Sequence, residues 1–166
     1  MAYDAFVETR ELQNNAAPLS LAPNTGVAQL LAYLAAAPLI VTALYIVSAG
    51  DRAGAPVAHF MGLYGAALII FFGGVRWGVA VMKPEGPTAT ALLGAGLPLL
   101  IALPLLLPLP VFYKFPAIMI IVALLLLDDL QATRRGSGAP GWYLAVRLPL
   151  TVLIELAFLI ALVGMG

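Results

Sequence analysis

Apolar residues fall in long, nearly unbroken stretches, and the polar residues, glycines and prolines between them fall in short clusters. About 20 apolar residues make a helix long enough to cross a bilayer. On that basis the pattern predicts five spans, at about 27–49, 57–82, 88–109, 111–127 and 144–163. The breaks are Gly50-Asp51-Arg52-Ala53-Gly54, then Lys83-Pro84-Glu85-Gly86-Pro87, then Asp128-Asp129 followed by a loop over 130–141. Residues 1–26 read as a polar tail, closed by Pro18, Pro23 and Gly26. The expected fold class is therefore all-α. A tail at 1–26 precedes a single five-helix transmembrane bundle over 27–166.

The spans differ in character. Pro38 falls near the middle of the first and predicts a kink beside Ala35, Ala36 and Ala37. The third contains Pro98 and Pro104 after Gly94 and Gly96, and it runs into Pro108 and Pro110. Each interior proline frees a carbonyl that needs another partner in lipid, so this span is expected to be bent and packed on its neighbours. In the fourth, the uninterrupted aliphatic run from Ile118 to Leu127 is expected to face lipid. Trp77, Trp142 and Tyr143 are expected interface anchors, as is the group Phe112-Tyr113-Lys114.

Composition agrees with this class. The chain is 63% hydrophobic and 10% charged over 166 residues, whereas a soluble domain is about half apolar and a quarter charged. A net charge of zero leaves no footprint for nucleic acid. Without cysteine there is no disulfide, thiolate metal site or cysteine nucleophile, and one histidine rules out a multi-histidine metal or haem site. Residues 1–20 carry Asp4, Glu8, Arg10 and Glu11, with no basic start leading to an apolar run. That is the pattern of a natural start rather than of a secretory or transit segment.

Charge gives an orientation. Arg10, Lys83, Arg134 and Arg135 collect on one side of the spans, and Arg52 and Lys114 on the other. The bias places the N-terminus in the cytoplasm and the C-terminus outside. Span two then ends, span four ends and span five begins at the cytoplasmic interface. Arg76, Asp128, Asp129 and Arg147 are expected to gather there and neutralise one another, because charges at membrane depth persist best when paired. Arg76 stands in the stretch Gly73-Gly74-Val75-Arg76-Trp77-Gly78. Gly73, and the Gly74/Gly78 pair at GxxxG spacing, are expected helix-packing positions.

Glu155 is the one acid well inside a span. It shares a stripe with Thr151 and Arg147 at steps of four and lies about 12 Å deeper than Arg147. With Thr151 and His59 it forms a candidate intramembrane polar site. Intramembrane carboxyls often mark pathways; the simpler alternative is a carboxyl that joins two helices through Thr42, Tyr33 or a proline-freed carbonyl. No catalytic constellation or metal site is legible.

Tyr64-Gly65-Ala66, leading through Phe71-Phe72-Gly73-Gly74-Val75-Arg76-Trp77-Gly78, resembles the domain of unknown function family 3429, as do the acids near 128–129 and Trp142-Tyr143 with Arg147 and Leu150-Thr151. Tyr33 and Pro38 are similar to its opening helix. The family includes the mitochondrial transmembrane protein 69. The resemblance implies a small multi-span inner-membrane protein of proteobacteria or mitochondria, and it supplies no reaction, cofactor or catalytic residue. The expectation is a non-catalytic inner-membrane protein, an accessory or assembly subunit beside a larger respiratory or photosynthetic complex. Its partners are the lipid bilayer and other membrane subunits, with no cofactor beyond a bound lipid or quinone. The alternative is a small transporter or a lipid- or quinone-binding protein. That reading uses Glu155 and the small-residue face of the second helix.

Overall fold

The computed structural model describes residues 25–49, 54–136 and 142–165. Residues 1–24, 50–53, 137–141 and 166, which include most of the expected tail, turn and loop, lie outside the described residues. All regular structure in the described residues is helical: α1 (Thr25–Ala49), α2 (Gly54–Val81), α3 (Ala89–Leu105), α4 (Val111–Arg134) and α5 (Trp142–Gly164). Four of these, α1, α2, α4 and α5, are long and apolar enough to cross a membrane. Large apolar side chains such as Leu93, Val163 and Phe112 stand more than 70% exposed on the outside. The chain is a helical, multi-pass membrane protein.

The helix ends differ from those expected from hydropathy, and two differences matter. The third helix has 17 residues, about 26 Å of rise, against a span of 88–109 read from the sequence. Thr88 caps its start by accepting from the Ala91 amide at 3.2 Å. Pro98 and Pro104 lie inside it, and Pro108 and Pro110 follow its end. The fourth helix does not stop at Asp128-Asp129. It continues to Arg134 and ends where Gly136 takes a left-handed φ of 71°, a conformation glycine adopts without strain. Hydropathy marks where apolar surroundings end; the helix itself runs on into the polar zone.

Contacts fix the helix directions. Gly62 meets Lys114 and Gly65 meets Ile118, while Arg76 meets Leu125 and Asp129. The two numbers rise together, so α2 and α4 run parallel. Phe115 stacks edge-on against Phe158 at 4.9 Å, and Asp129 pairs with Arg147. There the numbers run opposite, so α4 and α5 are antiparallel. The most extensive packing is α1 on α5 and α2 on α3.

The core lies where α2, α4 and α5 meet, with α1 completing it. Phe72, Ile69, Phe115, Ile118, Ile154 and Phe158 are all at most 2% exposed. Gly65 admits the Phe158 ring: a β-carbon there would stand 2.6 Å from its tip. The expectation that the run from Ile118 to Leu127 faces lipid needs correction. Ile118, Val122 and Leu125 are buried, while Ile120, Leu124 and Leu127 point outward. A helix with two neighbours turns one stripe inward, and uniform aliphatic composition conceals which stripe that is.

Tyr64 ties α2 to α1. Its hydroxyl donates to the Ala35 carbonyl at 2.8 Å. In α1 the Thr42 hydroxyl lies 2.7 Å from the Pro38 carbonyl and 3.0 Å from that of Leu39. It is therefore engaged beside Pro38 on its own helix.

Candidate functional site

At one end of the bundle α2, α4 and α5 each contribute charge. Arg76 reaches from α2 with every nitrogen of its guanidinium group in use. Nε donates to Asp129 Oδ1 at 2.8 Å, and Nη2 to the Leu125 carbonyl at 2.7 Å. Nη1 pairs with Asp128 Oδ2 at 2.9 Å. Asp129 turns its second oxygen to α5, where Arg147 Nε donates at 3.1 Å. Arg147 Nη1 donates to the Thr151 hydroxyl at 2.8 Å. One carboxylate thus bridges two arginines from different helices, and the four charges sum to zero.

Burial varies across this network. The Arg147 side chain is 2% exposed and that of Asp129 8%, whereas Asp128 is 65% exposed. Arg147 also lies on the Phe72 ring, its central carbon 3.4 Å from the centroid. A desolvated cation on an aromatic face gains about 2 kcal/mol. Arg147 Nη2 is buried without a hydrogen-bond partner among the described residues. The Asp129 bridge is therefore the main compensation for a cation that water does not reach.

Beside the network lies a cavity of about 200 Å³ between α2, α3 and α4. Arg76, Asp128 and Asp129 line it together with Lys83, Thr90, Thr133 and, from α5, Tyr143. The other lining residues, among them Ala91, Gly94 and Ala95, are small and apolar.

These residues fall within the stretch that a sequence model of one family covers. The model, described as a protein of unknown function (DUF3429), matches residues 25–163. The chain belongs to the DUF3429 family. No curated protein and no solved structure matches it. The match takes in α1 to α4 and all but the last residue of α5, so the charge network and cavity lie inside the family unit.

Within this DUF3429 protein the other candidate residues are dispersed. Thr151 belongs to the charge network through Arg147, not to a site with Glu155. Glu155 is partly buried, and its Oε1 is enclosed with no hydrogen-bond partner among the described residues. Neither Thr42 nor Tyr33 serves it: the Thr42 hydroxyl is engaged in α1, and Tyr33 is 44% exposed. His59 stands partly buried near the opposite end of α2, 17 residues from Arg76 and about 25 Å away along the axis. The three do not form one site.

The glycines also divide. Gly73 packs closely, with a built β-carbon 3.0 Å from the Ala95 carbonyl and 3.1 Å from Pro98. At Gly74 and Gly78 such a carbon meets nothing within 4 Å. The GxxxG pair therefore packs against no helix among the described residues, contrary to expectation. Gly74 stands about 100° around the helix from Gly73, off the face that α3 covers.

Trp77 is 49% exposed, and Trp142 and Tyr143 are partly buried at the same end of the bundle. Lys114 departs most from its expected role as an interface anchor. It is 1% exposed, with Nζ 3.1 Å from the Leu107 carbonyl. Its stem fills the space that Gly62 leaves. Phe112 and Tyr113, more than 70% exposed, keep the outward position. The sequence signal for Lys114 was a glycine in the parallel helix at the matching level, visible only once α2 and α4 are paired.

Proposed function

We propose that this chain is a non-catalytic accessory or assembly subunit, built to pack beside the helices of a larger membrane complex. The observation that carries the proposal is the open GxxxG pair on α2. Small residues at that spacing let helix backbones approach closely, and close packing is a main driving force for association in lipid. Here Gly74 and Gly78 are unused internally. They continue an exposed stripe of Phe60, Ala67, Phe71 and Val81 on the same helix.

Five crossings complete the reading. Because α2 and α4 run parallel, α3 with residues 106–110 returns the chain from one face to the other. The Lys83, Arg134 and Arg135 end lies in the cytoplasm of a bacterial inner membrane, by the excess of basic residues there. Purification in mild detergent is expected to recover the chain in a stoichiometric complex. Joint Gly74→Leu and Gly78→Leu substitution should release it while leaving its own thermal unfolding unchanged. A wild-type chain that runs only as a monomer sinks the proposal.

Glu155 favours a second reading, a small carrier whose binding carboxyl sits within the span. An enclosed carboxyl oxygen without a partner is costly, and such groups recur on transport routes. Glu155→Gln is then expected to abolish uptake of the transported solute into reconstituted vesicles. Uptake at the wild-type rate excludes this role.

A further inference from the structure

The four-charge network is neutral by itself, which leaves Lys83 as an uncompensated cation on the wall of the adjoining cavity. Lys83 is partly buried and makes no ion pair among the described residues. It follows the end of α2, at the level where Trp77 and Tyr143 mark the interface and where lipid phosphates lie. Thr90, whose hydroxyl lies 3.4 Å from that of Thr88, lines the same cavity. A cation and a hydroxyl around a small space at this depth suit a phosphate oxygen.

The cavity also has an apolar way out. A shallow groove follows the outside of α3, lined by Leu93, Gly96, Leu97 and Leu100. Gly94 lines both the groove and the cavity. No atom lies within 4 Å of where its β-carbon would stand. Having no side chain, Gly94 leaves the border between the cavity and the lipid-facing groove open. A head that takes one negative charge and a tail that takes hydrocarbon together describe an amphipathic anion.

We propose that the cavity between α2, α3 and α4 binds one anionic phospholipid, with its phosphate on Lys83 and an acyl chain leading past Gly94 into the groove on α3. A quinone has no need of the lysine. A free phosphate has no need of the groove. The site is independent of the accessory role, because it is complete within one chain.

The test is native mass spectrometry of the purified full-length chain in detergent, titrated with phosphatidylglycerol, with phosphatidylcholine of the same chains, and with inorganic phosphate. Phosphatidylglycerol is expected to bind about tenfold more tightly than phosphatidylcholine. Lys83→Gln should erase that preference. Gly94→Leu should weaken phosphatidylglycerol by about tenfold by filling that border, and its open surroundings leave the unfolding temperature without lipid unchanged. Retention of the preference in Lys83→Gln, or wild-type binding in Gly94→Leu, overturns the proposal. So does displacement of the lipid by equimolar inorganic phosphate, which would reveal a simple anion site.

Discussion

Asp129→Ala is expected to destabilise the bundle by about 3–5 kcal/mol, the range for breaking a buried ion pair from one side. The reason lies in what remains. Arg147 keeps its burial and its place on Phe72 but loses the carboxylate that balances it. Arg76 keeps Asp128 and the Leu125 carbonyl but loses its most enclosed partner. Asp128→Ala serves as the control. That carboxylate is 65% exposed and answers one arginine only, so its loss should cost about 1 kcal/mol or less. Denaturant unfolding in detergent, followed by tryptophan fluorescence, measures both, since Trp77 and Trp142 lie at this end. Equal effects for the two substitutions would mean that the bridge between α2 and α5 does not hold the helices together.

Gly65→Ala should be the second most damaging small change, at about 1–3 kcal/mol. The new methyl group would stand 2.6 Å from the tip of the Phe158 ring and 3.1 Å from Ile118. The ring has nowhere to go: Phe158 and Phe115 are both fully buried and stacked edge to face. Alanine's better helix propensity offsets at most about 1 kcal/mol. Gly62→Ala makes a similarly close contact, but with the flexible stem of Lys114, so it should be milder. The same unfolding measurement compares them. A Gly65→Ala protein as stable as wild type would show that the aromatic pair is not tightly held.

Hydropathy located the helices because apolar runs this long have few other uses. It located their ends less well. Asp128-Asp129 looked like a terminus because charge usually marks the edge of lipid, yet Arg76 neutralises that charge and the helix goes on for another turn. The meeting of Arg76, Asp128, Asp129 and Arg147 was legible from alternating span direction alone, since it requires only that three ends share a face. Details that depend on rotation about a helix axis were not. Gly73 and Gly74 are adjacent, and only the first faces α3. Lys114 next to Phe112 and Tyr113 resembles an anchor, and one further step around the helix turns it into the core. The cavity was hidden for the same reason, because its walls come from helices whose relative rotation no single segment encodes.

The bridge at Asp129 also sets a timetable for synthesis. Arg76 precedes its carboxylate partner by 53 positions, so the ribosome delivers α2 and the whole of α3 before the counter-charge exists. Until then the guanidinium has to reach back toward headgroups and water. Arg147 lies 18 positions beyond Asp129, so the network can be complete only once α5 has been made.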